Sequence, residues 1–321
     1  MGKIHKPRAG SLQFWPRARA PRLIPSVNWK VLEQKHSDKK LLGFIGYKVG
    51  MARVLVQDLT QDSMTKNKSI ILPVSIIEVP PAKILAVRFY KDNNVTTQII
   101  SHDLDKELKH KITLPKQWQT TKKLEEQEKN LENYKDITLI IYSIVKKTGK
   151  KKTPDISEIA LGGTIKEKFD FAKQHLGKEL NLSEFFSKGQ LVDFRGVTTG
   201  HGFSGPVKRF GIHLRQHKSE KGQRKVGSIG PWHPSRVTFR VAMAGQHGFF
   251  TRTHYNHKII EIGSGEKLGL EFRHYGKIKT NYLIIKGSVQ GPPKRQLLFT
   301  MPLRETKLTK KKNYELVKIL R

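Results

Sequence analysis

The 321-residue sequence contains no cysteine. This absence excludes disulfide bonds and every zinc site that needs thiolate ligands, and it is typical of proteins in a reducing compartment. Long apolar runs are also missing. The apolar stretch Ile137–Val145 is only nine residues long and contains Thr138 and Ser143, whereas a membrane helix needs about 18 or more apolar residues. Because the N-terminus also has no apolar signal-peptide core, we expect a soluble, intracellular protein without a membrane partner.

Acidic residues are scarce. The chain has 27 Asp and Glu against 61 Lys and Arg, which gives a formal net charge of +34. Self-repulsion of this size destabilises an isolated protein, so the composition predicts a polyanionic partner. The hydrophobic share of 36% still allows a core, although a lean one.

The scarcity of acids is most extreme between Gly196 and Lys258. These 63 residues hold eleven Lys and Arg, seven His and ten Gly, and Glu220 is their one acid. Seven aromatic residues are scattered among them without the period of a strand or a helix. Cations suit phosphates, planar rings stack on bases, and glycines allow close backbone approach, so this stretch is predicted to be an arm that penetrates folded RNA.

The histidines of the arm raise the alternatives of a metal site or an enzyme. His213 and His217, or His254 and His257, have spacings that bring ligands together on a helix, but the flanking sequence is broken by glycines. Glu220 is the one carboxylate available for acid–base chemistry, and it lies in a Lys- and Gly-rich turn. Gly200, Gly202 and Gly205 match a dinucleotide fingerprint only formally, because no βαβ unit surrounds them. We therefore predict no metal, no cofactor, no small-molecule substrate and no enzymatic activity.

Residues 1–30 contain seven Lys and Arg, four prolines and no acid. The prolines exclude a continuous helix. We interpret this stretch as an extended basic tail in which Trp15 and Trp29 stack or anchor.

The remainder has the pattern of a β-rich body. Strands are predicted around Leu41–Asp58, at Ile70–Val79, at Lys83–Tyr90 and, later in the chain, at Gly189–Val197, Lys258–Ile262 and Asn281–Gly287. Short strands with glycine kinks and no crossover helices favour an antiparallel barrel or sandwich.

An α/β segment interrupts this body. An exposed helix is predicted at Thr121–Tyr134 and a strand at Asp136–Val145. Thr153 and Pro154 resemble a helix start, and Gly162-Gly163 a helix stop. From Ile165 to Leu176, apolar residues at spacings of four, three and four predict a further helix.

Several blocks resemble those of the ribosomal large-subunit protein L-three family in its archaeal and eukaryotic form. They include GHGFSGPVKRFG, RKVGSIGPWHPSRV and AGQHGFFTRTHYNHKI in the arm, FWPRARA in the tail, and LLGFIGYKVGM, LVDFRGVTTG and HYGKIKTNYLIIKGSVQGPPKR in the body. The resemblance covers most of the chain and is weakest across roughly residues 92–133.

The resemblance implies a mainly β fold with an α/β insertion: a translation-protein-type β-barrel with a long basic central extension and a basic N-terminal tail. The implied boundaries are 1–40 for the N-terminal extension, 41–100 for the first part of the barrel, 101–182 for the insertion, 183–199 for the barrel continued, 200–256 for the central rRNA-penetrating extension, 257–303 for the closing part of the barrel and 304–321 for a basic C-terminal tail.

It also implies a structural constituent of the large ribosomal subunit that binds rRNA directly, supports early assembly and organises rRNA near the peptidyl transferase centre, with Trp232 at the tip of the extension. Neighbouring large-subunit proteins are the other implied partners, and the location is the cytoplasm. The residues predicted to bind rRNA are Arg8, Trp15, Arg17, Arg19, Arg22, His201, Lys208, Arg209, His213, Arg215, Arg224, Lys225, Trp232, His233, Arg236, Arg240, Arg252, His257 and Lys258.

Two other readings remain open at this stage. A basic RNA-modifying enzyme, or another nucleic-acid-binding protein such as a DNA-compacting one, shares the charge, although the missing catalytic constellation and the irregular aromatic–glycine pattern disfavour both. The run Lys310–Lys312 reads equally as a solvated tail and as a nuclear targeting signal.

Overall fold

The computed structural model describes residues 9–38, 40–92, 94–115 and 120–320. The chain divides into two compact units. Unit 1 comprises Met1–Leu23 and Val197–Arg252, and unit 2 comprises Ile24–Gly196 and Thr253–Arg321. The N-terminal tail and the central arm, far apart in sequence, therefore belong to the same unit.

The described residues are mainly β. The strands are β1 (Gly43–Asp58), β2 (Ser69–Val79), β3 (Ala82–Lys91), β4 (Asn94–Ile100), β5 (Asp136–Ser143), β6 (Ile156–Ala160), β7 (Glu179–Leu180), β8 (Leu191–Val197), β9 (Gly200–Ser204), β10 (Gly245–Gly248), β11 (Thr251–Ser264), β12 (Glu271–Phe272), β13 (Gly276–Lys277), β14 (Asn281–Lys286), β15 (Gln296–Thr300) and β16 (Tyr314–Leu320). The helices are α1 (Trp29–Lys35), α2 (Thr120–Lys129), α3 (Ile165–His175), α4 (Pro206–Phe210), α5 (Gly265–Leu268) and α6 (Lys307–Lys311).

The larger sheet has seven strands in the order β15-β8-β11-β14-β2-β1-β16. Strand β1 is long enough to pair with two further strands along one edge: its residues 43–47 pair with β15 and its residues 53–58 pair with β16, both antiparallel. The β1–β15 pairing connects the two ends of a path through six strands. This sheet contains every strand predicted for the body except Lys83–Tyr90.

The second sheet has the order β4-β3-β5-β6, with β7 paired to β3. Its pairings are antiparallel, and α3 packs near β5. The expected boundary of the insertion at residue 101 does not coincide with the change of sheet. That change falls at Pro80 and Pro81, where proline cannot supply the backbone N–H groups that would continue β2.

The main core lies in unit 2 and is rich in aromatic rings. Phe299 on β15 is fully buried, and its ring centroid lies 5.1 to 6.1 Å from those of Phe44, Phe186 and Phe194. Burying a large apolar side chain contributes roughly 1.5–3 kcal/mol relative to leaving it exposed. This cluster therefore gives unit 2 stability that does not depend on a partner.

A buried polar contact joins the two sheets. The Tyr47 hydroxyl on β1 donates to Asp155 Oδ2 at 2.7 Å and lies 2.6 Å from the Ser143 hydroxyl on β5. Burial and the nearby Asp155 carboxylate raise the pKa of Tyr47 well above its usual value. The phenol stays protonated and can keep donating, which fixes β1 against β5.

The helix predicted between Thr153 and Gly162 is wrong. Residues Ile156–Ala160 form strand β6, which pairs with β5 and buries Ile159 and Ala160. The proline and glycine signals were local, whereas a strand here extends the sheet and completes its core. The next helix is confirmed: α3 begins after Thr164, whose hydroxyl and the Glu167 carboxylate form a reciprocal capping box.

Residues 304–320, expected to form a basic tail, contain a helix and a strand. Thr306 accepts a hydrogen bond from the backbone of Thr309 at the start of α6, and β16 then joins the larger sheet beside β1. Alternation within β16 places Tyr314 in the core and Glu315 in solvent.

Candidate nucleic-acid interface

The arm begins in unit 1 as a short two-stranded ribbon. Strands β9 and β10 are antiparallel, with a register shift between Gln246 and Gly248. Gly248 has a positive φ of 69°, and a Cβ there would lie 2.0 Å from the Thr199 carbonyl oxygen, so only glycine fits. Helix α4 follows β9 and ends at Gly211, which adopts the left-handed conformation with φ of 62°.

Beyond α4, residues 211–244 form no helix or strand. Local hydrogen bonds shape the segment: the Arg215 backbone N–H donates to Gln223 at 3.0 Å, and its guanidinium donates to the Val226 carbonyl at 2.5 Å. Arg215 therefore stabilises the loop through internal hydrogen bonds. This role differs from the rRNA contact that was predicted for it. Every residue from 227 to 240 is exposed.

Trp232 is the most exposed of the large hydrophobic side chains in this segment, at 88%. It lies between Pro231 and Pro234 in a stretch of bends. A tryptophan in the protein core would be buried, so Trp232 is not a core residue. An indole exposed to this extent is accessible for stacking on a planar partner.

The N-terminal tail packs on the arm within unit 1. The Trp15 and Phe239 ring centroids lie 5.1 Å apart, and the Ala20 N–H donates to the Phe249 carbonyl at 2.9 Å. The Arg17 guanidinium lies 4.9 Å from the Phe210 ring centroid and donates to the Ser11 carbonyl at 2.8 Å. Trp15 and Arg17, predicted as rRNA ligands, are thus engaged in contacts between tail and arm.

Two further predicted rRNA ligands have internal partners. Arg209 donates to the carbonyls of Met243 at 2.8 Å and Gln246 at 3.0 Å, which ties α4 to β10 and to the residues before it. The Arg252 guanidinium lies 4.2 Å from the Phe14 ring centroid. Burial, and secondly the nearby Arg17, lower the pKa of both guanidinium groups, although both remain cationic at neutral pH.

The other predicted residues of unit 1 are exposed. They are Arg19, Arg22, His201, Lys208, His213, Arg224, Lys225, Trp232, His233, Arg236 and Arg240. Arg240 lies 6.0 Å from the Phe239 ring, and Arg8 lies outside the described residues. These side chains form the candidate interface.

His257 and Lys258 belong to unit 2 and have internal roles. The His257 ring lies against Phe194, and its Nδ1 is 3.0 Å from the Lys286 carbonyl oxygen. Lys258 is only 9% exposed, and its Nζ donates to the Lys310 carbonyl at 3.1 Å. Burial lowers the pKa of both groups. The predicted rRNA contacts of these two residues are not supported by their environment.

The prediction omitted Phe203, which is 81% exposed on β9. A two-stranded ribbon has no second layer that could cover a large ring. An aromatic residue in a short strand flanked by glycines is therefore expected to be exposed, and this pattern in the sequence could have identified Phe203. His201 and His247 stack nearby with centroids 4.7 Å apart. Burial, then the neighbouring cations, lower the pKa of His247.

The charges of unit 1 are almost all of one sign. Its 79 residues contain 16 Lys and Arg and a single carboxylate, Glu220. Internal ion pairing cannot balance such a surface, whereas an external polyanion can. Among the described residues, no group of three His, Asp or Glu side chains is placed to hold a metal ion, and no helix is long and apolar enough to cross a membrane.

Comparison with known proteins connects this geometry to a family. Residues 1–321 match the family described as ribosomal protein L3. The chain is 38% identical to the large ribosomal subunit protein uL3 of Methanobrevibacter smithii and to that of Archaeoglobus fulgidus, in each case over 95% of this chain and 94% of the relative. Identity to uL3 of Methanocaldococcus jannaschii is 38% over 94% of this chain and 92% of the relative. This chain therefore belongs to the ribosomal protein L3 family.

Proposed function

We propose that the exposed cations and rings of unit 1 bind large-subunit rRNA directly. As a member of the L3 family, the chain is a structural constituent of the large ribosomal subunit, in the cytoplasm. The family is one of structural ribosomal proteins rather than enzymes. Neighbouring large-subunit proteins are the further partners that we propose.

The observation that carries this proposal is the combination of charge and exposure in residues 211–244. Arg224, Lys225, Arg236 and Arg240 are exposed in a segment without helices or strands. An irregular backbone can follow an irregular polyanion, and planar groups such as Trp232 and His233 can stack on unpaired bases. A regular DNA duplex would instead call for a helix or ribbon shaped to its groove.

We further propose that the six-strand path closed by the β1–β15 pairing is a translation-protein-type barrel, and that residues 200–256 extend from it into rRNA. In this arrangement GSIGPWHP is the tip, and Trp232 lies near the peptidyl transferase centre. Two observations support this arrangement: Trp232 is exposed, and unit 1, to which it belongs, is rich in Lys and Arg. A protein that organises RNA so deep in the subunit would bind early in assembly.

Photocross-linking of purified large subunits, followed by mass spectrometry, tests the proposal. RNA adducts are expected on peptides covering residues 213–240. The internal control is the peptide containing Tyr282–Lys286, a mostly buried strand of unit 2, which should carry none. Adducts confined to unit 2 would show that the interface is assigned to the wrong unit.

A further inference from the structure

Two loops of unit 2 contain cations and no acid, like much of unit 1. The first loop, residues 145–152, connects β5 to β6. The second loop, residues 272–280, begins at the end of β12 and leads through β13 to β14. Together they contain eight Lys and Arg, although unit 2 has 26 Asp and Glu elsewhere. The two loops are therefore a local excess of positive charge in a unit that is otherwise mixed.

The two loops contact each other through a reciprocal pair of lysines and glycines. Lys279 of the second loop lies against Gly149 of the first, where a Cβ would be 3.2 Å from the lysine Nζ. Lys150 of the first loop lies against Gly276 of the second, where the corresponding distance is 3.0 Å. Both glycines have a positive φ. Because neither has a side chain, each leaves room for the lysine of the opposite loop.

A buried carboxylate holds this arrangement in place. Glu78 on β2 is fully buried and accepts hydrogen bonds from the backbone N–H groups of Lys279 and Thr280, both at 2.9 Å. It also accepts one from the hydroxyl of Tyr275, whose ring centroid lies 5.4 Å from Lys150 Nζ. Glu78 therefore fixes both the backbone that carries Lys279 and the ring on which Lys150 lies.

Internal ion pairs involve only some of these cations. The pairs of the first loop are Lys146 with Glu107, Lys147 with Glu179 and Lys151 with Asp155. Among the described residues, the structure shows no ion pair for the lysine patch, which we define as Lys150, Lys152, Lys277 and Lys279. Glu271 is opposite Lys277 in the β12–β13 hairpin and offsets part of the positive charge. The patch still has more cations than nearby acids to balance them.

We propose that the lysine patch binds backbone phosphates of rRNA, as a contact separate from that of unit 1. The choice of rRNA as the polyanion rests on the proposed function. Ammonium groups that are held close together repel each other, and an anion bound between them relieves that repulsion. Lysine binds phosphate as a point charge.

The patch is suited to the backbone of RNA and not to its bases. Tyr275, the ring beneath Lys150, is only 4% exposed and is therefore not accessible for stacking. Contacts to phosphate position a protein on a nucleic acid without reading its sequence. The patch therefore anchors unit 2, whereas the exposed rings that can stack on bases belong to unit 1.

The first test measures the affinity of the full-length chain for large-subunit rRNA over a range of salt concentrations. Replacing Lys150 and Lys279 together with Gln should reduce the slope of log affinity against log salt by about 1.4, since each lost phosphate contact removes about 0.7. The matched control replaces Lys146 and Lys147 with Gln. It removes the same charge from the same loop, but from lysines that already have carboxylate partners, and should leave the slope nearly unchanged.

A charge-preserving variant separates the loss of charge from damage to the loops. Replacing Lys150 and Lys279 together with Arg keeps both cations and should retain the wild-type slope. A wild-type slope in the Gln variant of Lys150 and Lys279 would overturn the proposal. Equal reductions in the two Gln variants would also overturn it, because they would reflect net charge and not a site.

The same measurement separates this proposal from the proposed function. The comparison is with the variant of unit 1 in which Arg224, Lys225, Arg236 and Arg240 are replaced with Gln, and with the combination of both variants. If the two regions bind different phosphates, the reductions in slope should add. A reduced slope in the unit 1 variant alone would contradict the lysine patch, and a reduced slope in the patch variant alone would contradict the proposed interface of unit 1.

The second test places a photo-reactive residue at Lys152 in purified large subunits, with the exposed Lys66 of unit 2 as the control position. Cross-links from position 152 should go to RNA, with a higher yield than from position 66. Cross-links to an acidic peptide of another protein would overturn the proposal, as would a yield of RNA adducts no higher than that at position 66.

Discussion

Units 1 and 2 balance their charges in different ways. Unit 1 has 16 Lys and Arg and one acid, a net charge of +15 in 79 residues. Unit 2 has 45 and 26, a net charge of +19 in 242 residues. Several carboxylates of unit 2 form internal ion pairs: Lys168, which is only 2% exposed, is paired with Glu33 and Asp136. Unit 2 can therefore fold as an ordinary domain, while unit 1 needs an external anion.

The apolar side chains show the same contrast. Unit 2 buries Phe44, Phe194 and Phe299 completely, whereas unit 1 exposes Phe203 and Trp232 almost fully. A ring in a core stabilises the fold, and an exposed ring between glycines or prolines is available to a partner. The residue type alone does not tell whether a ring lies in the core or is exposed. The number of strands that surround the ring does.

The largest effect is expected from the core of unit 2. Phe299→Ala removes a fully buried ring and should lower the free energy of unfolding by about 3–5 kcal/mol. Phe203→Ala makes the same chemical change at an exposed position in unit 1 and should alter it by less than about 0.5 kcal/mol. Urea unfolding of both full-length variants measures the difference. Equal losses of unfolding free energy in the two variants would show that the aromatic rings of the two units do not have different roles.

A smaller, pH-dependent effect is expected at Asp58, a buried carboxylate that organises a loop of unit 2. Burial acts to raise its pKa, but hydrogen bonds from Thr60, Thr65 and Ser63 outweigh burial and hold the pKa well below its usual range. Because the folded-state pKa is depressed, the stabilisation is present above the unfolded-state pKa of about 3.9 and is lost as the pH falls.

Asp58→Asn should therefore cost about 1–2 kcal/mol of unfolding free energy at pH 7, and the difference from wild type should shrink below about pH 4. Asp62→Asn is the matched control, because Asp62 is exposed in the same loop and pairs with Lys311 at the surface. Urea midpoints measured from pH 3 to pH 7 test this. A constant difference across that range would show that the carboxylate charge is not what Asp58 contributes.

The smallest effect on stability is expected at Trp232. Trp232→Ala should leave the melting temperature of the free protein unchanged, yet remove a stacking contact with rRNA worth about 1–3 kcal/mol. Mutant subunits should assemble and show altered peptidyl-transfer kinetics. Trp29→Ala, which removes a ring packed against the core of unit 2, should instead lower the melting temperature. A lowered melting temperature with normal kinetics in Trp232→Ala would refute the assignment of the tip.

The sequence predicted most of the elements whose signals are local. The apolar run Ile70–Val79 became β2, and the spacing of apolar residues from Ile165 to Leu176 matched α3. In both cases the period of the side chains and the role of the element in the core agree. The family resemblance and the exposure of Trp232 also followed from residues that can be read directly.

The interface was harder to predict than the strands. Arg209 and Arg224 lie in equally basic surroundings, yet Arg209 is held by two backbone carbonyls and Arg224 is exposed. Composition cannot distinguish a cation that donates hydrogen bonds to the backbone from an exposed cation that can bind phosphate. The reason is that the carbonyl partners come from residues far away in sequence. The packing of Trp15 on Phe239 was missed for the same reason.

The central claim is that the exposed cations of unit 1 bind rRNA phosphates, and its most direct test is the salt dependence of rRNA binding. Each phosphate contact lowers log affinity by about 0.7 per log unit of salt on single strands, so replacing Arg224, Lys225, Arg236 and Arg240 together with Gln should reduce the slope by roughly 3. Replacing the exposed Lys66, Lys109, Lys122 and Lys123 of unit 2 removes the same charge and should leave the slope nearly unchanged. Equal slopes for the two variants would contradict the account.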